Sequence, residues 1–258
     1  MSGKIKWDAS FYFMCILSIL GGYYTEWLIY FATIIIHECG HLLMAFFKKW
    51  KLEELKIYGF GGLMTYEQEL NCSISDDLWV SSGGILANGL VLILLQFTPS
   101  SWLDIQGLRI YDLTVQAQIF VILLNLIPLP PLDGYRLGLD LASFKIPYYK
   151  VLKWGMWMSF GILMIIGLIT LKYNIRQNWF IMGFLLIKTV EFAKQRRYLF
   201  NRFILQKHLQ QNLKLQDKRV EVKGTRWEEY LYKGVNNNLI IRQKAYKEQE
   251  LLKIKYKA

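Results

Sequence analysis

Residues 37–41 read His-Glu-Cys-Gly-His, an H-E-x-x-H pattern. On a helix, positions i and i+4 share a face, so the imidazoles of His37 and His41 can reach one metal ion. Zinc suits such a pair: it takes His nitrogens at about 2.0–2.1 Å and leaves one tetrahedral position open to water. Glu38 sits beside the first ligand, placed to accept a proton from water rather than to bind the metal. Zinc lowers the pKa of water to about 7 and polarises a peptide carbonyl, the chemistry of metal-assisted hydrolysis. Two histidines leave the site incomplete, because catalytic zinc normally has three protein ligands. The other histidine of the chain is His208, in the C-terminal tail. Asp133 is the better third ligand. It lies in LLNLIPLPPLDGYRL (123–137), where Pro128, Pro130 and Pro131 cannot continue a helix and can turn its carboxylate back. Glu67, Glu69 and Asp77 compete by position but lack comparable local geometry.

The elements that must hold these groups are apolar. His37, Glu38 and His41 stand inside FATIIIHECGHLL (31–43). On a soluble surface helix H-E-x-x-H is a weak motif; inside a membrane span ionisable residues are costly, rare and usually functional. A reading as buried core histidines has to explain three adjacent polar groups in one apolar run. The chain has 258 residues, 53% hydrophobic and 16% aromatic, and a positive mean hydropathy. Its apolar residues come in blocks near 10–24, 27–47, 78–97, 112–127, 151–171 and 178–193. A bilayer core needs about 20 residues of helix, and the first and fourth blocks are the short ones. Basic residues alternate with these blocks. Lys4 and Lys6 precede the first, Lys48, Lys49, Lys51 and Lys56 follow the second, and Arg136, Lys145, Lys150 and Lys153 follow the fourth. The opposite side carries Arg109, Lys172 and Arg176. This pattern predicts an all-α polytopic membrane protein of about six spans with both termini in the cytoplasm. It also sets Asp133 on the side where His37 and His41 lie.

Two segments break the helical pattern. KLEELKIYGFGGLMTYEQELN (51–71) mixes strand formers with Gly59, Gly61 and Gly62. It reads as a cytoplasmic hairpin or as a small β-element re-entering the membrane, sheltered by protein or water. Its Ile57–Met64 stretch offers an edge on which an extended peptide could pair. Past residue 193 the chain becomes basic and amphipathic. Residues 191–258 hold 17 Lys or Arg against 7 Asp or Glu, a net +10 of the total +11. Such a tail suits anionic cytoplasmic lipid or an acidic partner, and no recognition motif speaks for nucleic acid. RVEV, WEEYLYKG and NLIIR suggest a strand-helix-strand unit, too small for an independent core. The domains are therefore read as 1–193, in the membrane, and 194–258, a linker helix with a small α+β tail. Cys15, Cys39 and Cys72 show no paired spacing, so no disulfide framework is expected. Gly83, Gly84 and Gly89 in the third span allow close helix packing, and Asn88 among them needs a hydrogen-bonding partner.

H-E-C-G-H in an apolar span, followed by N-L-I-P-L-P-P-L-D-G, resembles the site-2 protease family of intramembrane zinc metalloproteases. The resemblance implies His37, His41 and Asp133 as ligands of one zinc per chain and Glu38 as catalytic acid/base. It implies that Asn125 holds substrate or stabilises the oxyanion; capping the helix break is its plainer role. Gly59, Gly61 and Gly62 resemble the family's membrane-reentrant, substrate-pairing strand. Gly84–Asn88 resembles its G-P-x-x-N element, with Ile85 in place of the proline. Six spans and a short tail are similar to the stage IV sporulation protease branch, and the tail resembles that branch's linker and first CBS strands while being shorter than a CBS pair. That branch implies a pro-sigma factor substrate, a mother-cell membrane around the forespore, and inhibitory membrane partners; a homo-oligomer is compatible with the sequence. The alternatives are a general site-2 protease acting on anti-sigma factors or signal-peptide remnants, and a non-catalytic or metal-transporting membrane protein. A transporter would spread ionisable residues along several spans, whereas here they cluster at one depth.

Overall fold

A computed structural model describes residues 4–59, 61–66, 73–99, 104–173, 178–209, 215–221, 227–233, 236–241, 244–247 and 251–252. It divides into two compact units, Met1–Glu69 with Trp79–Ile127, and Leu70–Leu78 with Pro128–Ala258. Glu67, Glu69 and Cys72 lie outside the described residues.

Among the described residues, four helices are long and apolar enough to cross a bilayer: Tyr24–Phe47 (α2), Ile74–Leu95 (α3), Ile105–Leu126 (α4) and Tyr148–Lys172 (α6). At most 28% of the apolar stretch of each is buried in protein, so side chains such as Phe47, Leu123, Trp154 and Met164 face outward. In water that surface would be a liability; against lipid it is what a spanning helix requires. The chain is an integral membrane protein. The first predicted span corresponds to Ala9–Leu20 (α1), which at 12 residues is shorter than a bilayer crossing. The predicted sixth span forms the first half of Asn178–Leu209 (α7), a 32-residue helix. The fourth is longer than its apolar block because α4 starts at Ile105, where Asp104 caps it by accepting the Gly107 amide at 2.7 Å.

In the first unit, Leu52–Tyr58 (β2) and Gly61–Tyr66 (β3) form the antiparallel hairpin expected from the glycine-rich segment. Lys4–Trp7 (β1) adds a parallel strand on the other side of β2, giving the order β1-β2-β3. Four residues of KIKW carry too little pattern to be read as a strand from sequence. This strand corrects one expectation: Ile57 pairs with both Trp7 and Gly62, so the edge is β3 and not Ile57–Met64 as a whole. Gly59 lies in the hairpin turn, where a side chain would strike Met14 Cγ and Ser10 O, both at 2.6 Å. Its lack of a side chain lets the turn rest on α1.

α2 and α3 touch backbone to backbone. A Cβ on Gly83 would stand 2.6 Å from the Gly40 carbonyl oxygen, and one on Gly40 would overlap the Gly83 carbonyl. Small residues at this crossing allow van der Waals contact that larger side chains would hold apart.

The second unit contains Asp133–Ser143 (α5), α6, α7 and a small sheet of Leu215–Glu221 (β4), Asn236–Ile241 (β5) and Lys244–Lys247 (β6). β4 and β5 are parallel and β6 closes antiparallel. The helix expected at WEEYLYKG is a single 3-10 turn, Trp227–Tyr230. The tail's core is shared with the helices: Leu231, Leu239 and Leu252 pack with Tyr148 and Leu152 of α6 and Phe203 and Ile204 of α7. The Tyr148 amide donates to the Leu231 carbonyl at 3.0 Å.

Candidate metal centre

The crossing of α2 and α3 builds the site. His37 and His41 lie one turn apart on the buried face of α2, 4% and 7% exposed. Their Nε2 atoms stand 3.2 Å apart. Two nitrogens on a tetrahedral zinc are separated by about 3.3–3.4 Å at ordinary bond lengths, so the pair is spaced for one ion. His41 Nδ1 lies 2.7 Å from the Val80 carbonyl oxygen. A carbonyl can only accept, so Nδ1 carries the proton and Nε2 offers its lone pair. The Gly84 amide, 3.4 Å from the same Nδ1, then makes a loose contact and not a second bond. His37 Nδ1 lies 3.3 Å from the side-chain amide of Asn88.

Gly84 makes room for the rings. A Cβ there would be 2.5 Å from His37 Cε1 and 2.5 Å from His41 Nε2. Glu38 points from the same helix to the hairpin, where its Oε1 accepts the Gly62 amide at 3.1 Å. Cys39, between them in sequence, is exposed and takes no part.

His37 and His41 offer ring nitrogens from the first unit, and Asp133 offers a carboxylate from the second. Two imidazoles and a carboxylate are a donor set that zinc accepts. Asp133 is the first residue of α5, directly after the proline-rich break. Asp77, a competitor by position, is engaged by Arg136 and Lys233 in ion pairs, and His208 belongs to the last turn of α7. Asn125 donates its side-chain amide to the Val121 carbonyl of its own helix at 3.1 Å. Gly61 and Gly62 open β3, and Gly62 is the one whose backbone reaches Glu38.

Sequence reasoning alone did not place Val80, Gly84 and Asn88 around the histidines. Their signal was present as adjacent glycines and a lone amide in an apolar span, but their target depended on how α2 and α3 cross.

The fold is shared with the site-2 protease from Methanocaldococcus jannaschii, with a TM-score of 0.54 and 23% identity, covering 74% of this chain and 91% of that one. The chain resembles site-2 proteases in fold, and its sequence relatives are as follows. Stage IV sporulation protein FB of Bacillus subtilis is 27% identical over 220 residues, 83% of this chain and 74% of that protein. A Synechocystis protein that carries the name of a zinc metalloprotease is 31% identical over 107 residues, 42% of this chain and 28% of its own length. No protein-family model matches the sequence.

Proposed function

We propose that this protein is an intramembrane zinc metalloprotease that hydrolyses peptide bonds of membrane-associated proteins within or near the bilayer. The observation that carries the reading is the pair of buried imidazoles with Nε2 atoms 3.2 Å apart. A buried pair of nitrogens at that distance, one with its lone pair fixed by a carbonyl at the far side of the ring, is arranged for a shared cation. His37, His41 and Asp133 would hold one zinc, which when bound polarises a peptide carbonyl and acidifies water.

The remaining work falls to the chain's own groups. A transmembrane substrate keeps its peptide bonds inside helical hydrogen bonds and must be extended before cleavage. The edge of β3 can hold an extended segment by strand addition. The Gly62 amide bonds Glu38 and therefore points away from β2, so Glu38 sits along that edge. From there its carboxylate takes a proton from the attacking water and delivers it to the departing amine nitrogen. Asn125, at the end of α4, would steady the substrate or the developing oxyanion. α1 and residues 178–193 would complete six spans with both termini cytoplasmic, β2 and β3 would form a membrane-reentrant element, and residues 1–193 would form the protease domain beside a 194–258 tail.

The finer reading is a pro-sigma factor substrate processed during sporulation in the mother-cell membrane. It is supported by likeness to the Bacillus subtilis sporulation protein over 83% of the chain. Inhibitory membrane proteins would occupy the site before cleavage, and the basic tail would meet anionic lipid.

The test uses the purified full chain in detergent with a membrane-tethered pro-sigma segment. Glu38→Gln is expected to lower cleavage by about 10²–10⁴-fold, the range for a lost general base, with one zinc per chain retained. Cleavage by the variant at the wild-type rate would overturn the assignment.

A further inference from the structure

Asn88 is wholly buried in α3, and its side-chain Nδ2 is the atom set against His37 Nδ1 at 3.3 Å. Its Oδ1, equally buried, has no hydrogen-bond partner among the described residues. Leaving a buried amide oxygen unpaired is costly, the more so where no water is near. The two ends of an amide differ by a half-turn about one bond, so the bonding network decides the orientation. If His37 binds metal through Nε2, its Nδ1 must bear the ring proton and becomes a donor. An Nδ2–H facing that N–H would set donor against donor. Turning the amide over puts Oδ1 at the same position, satisfies the orphan oxygen and gives Nδ1–H its acceptor.

We propose that Asn88 is a positioning residue for the metal centre: its Oδ1 accepts from His37 Nδ1–H and fixes the tautomer whose Nε2 lone pair faces His41. The inference rests on His37 being a metal ligand, as proposed above. It gives the two ligand histidines parallel supports from one helix. Val80, through its carbonyl, sets His41, and Asn88, two turns further along α3, sets His37. Both supports are oxygen acceptors on α3, and both depend on the glycine contact that brings α3 against α2. Partners of this kind orient the ring and raise the basicity of the nitrogen that binds the ion, and their loss typically costs about 10–100-fold in metal affinity.

The experiment compares full-length wild type, Asn88→Leu and Asn88→Asp in detergent. Zinc affinity is measured by chelator competition, and histidine ¹⁵N shifts of labelled protein report the tautomer. Leucine keeps the branching of asparagine and offers no acceptor; aspartate matches it in shape and offers a stronger one. Zinc affinity is expected to fall about 10–100-fold in Asn88→Leu and to stay near wild type in Asn88→Asp. The His37 Nδ1 signal should be of the protonated type in zinc-loaded wild type and Asn88→Asp. Equal affinity in wild type and Asn88→Leu overturns the proposal, as does an Asn88→Asp protein as impaired as Asn88→Leu. Wild type that takes up no zinc removes the metal reading itself and the role of Asn88 with it. Zinc-replete wild type beside an unaffected Asn88→Leu removes the role of Asn88 alone.

Discussion

Glu38 and the two histidines share α2 but face different neighbours, and a single glycine stands against each of the two sets. A Cβ on Gly62 would stand 2.6 Å from Glu38 Cδ and 2.7 Å from its Oε1. Alanine there would push the carboxylate off its amide without touching an imidazole. Gly62→Ala is therefore expected to lower kcat by up to about 10²-fold, the cost of an ångström-scale misplacement, while zinc stoichiometry stays at the wild-type value. Gly84→Ala should do the reverse, because its Cβ would meet both rings at 2.5 Å; zinc content should drop with activity. Metal analysis beside steady-state kinetics separates the two, and a Gly62→Ala protein that loses its zinc would sink the division of labour. The H-E-x-x-H core was legible because a helix brings i and i+4 together without help from the rest of the chain. Gly84 and Asn88 were not, since 43 residues separate Gly84 from His41 and 51 separate Asn88 from His37. Only packing brings them together.

Between elements, the second unit is tied by buried charge. Lys233, just beyond the 3-10 turn, donates to Asp140 of α5 at 2.7 Å and pairs with Asp77 at the start of α3. Arg136 of α5 binds the same Asp77, with Nη2 at 2.7 Å from Oδ1. Two cations against two carboxylates leave no net charge, which makes the burial tolerable. Removing one partner of such a set strands the others, at a cost of about 3–5 kcal/mol. Burial pushes the Asp140 carboxyl up to about 7, Lys233 opposing this and the Asp77 charge reinforcing it. Its folded value thus lies above the unfolded value of about 3.9. Between those limits the folded protein keeps a proton that the unfolded chain releases, so stability from this group falls as pH rises through the window. Thermal unfolding in detergent at about pH 5 and about pH 8 should show a larger loss for wild type than for Asp140→Asn. Identical slopes would show that Asp140 does not titrate in this interval. Nothing in the sequence pattern announces the quartet, because Lys233 and Asp77 are 156 positions apart. Hydropathy made most of α3 readable, but α5, which carries Arg136 and Asp140, is not apolar enough to form a block; β1 and β6, at four residues each, were too short to be read.

Across the whole molecule, hydropathy and basic-residue spacing are local properties and survive reading from sequence; shared cores do not. Composition changes near residue 193, and a boundary drawn there falls inside α7, which runs from Asn178 to Leu209 without interruption. Among the described residues, those beyond that point do not close a core alone. Leu231, Leu239 and Leu252 need Tyr148 and Leu152 of α6, and Phe203 and Ile204 of α7 complete the cluster. A segment of this size has too little interior to fold unaided, and Leu239 of β5 finds its packing partners on the helices. The dependence runs both ways. A 1–193 fragment would bare Tyr148 and Leu152 and leave Asp77 and Asp140 without Lys233. Each large side chain returned to water forfeits about 1.5–3 kcal/mol, and the unpaired carboxylates add to the loss. The fragment is expected to extract from membranes as polydisperse material with a lower Tm than the full chain, by size-exclusion chromatography and thermal unfolding in the same detergent. A monodisperse 1–193 protein with the Tm of the full chain would show instead that the protease domain ends where the composition changes and that the tail only rests upon it.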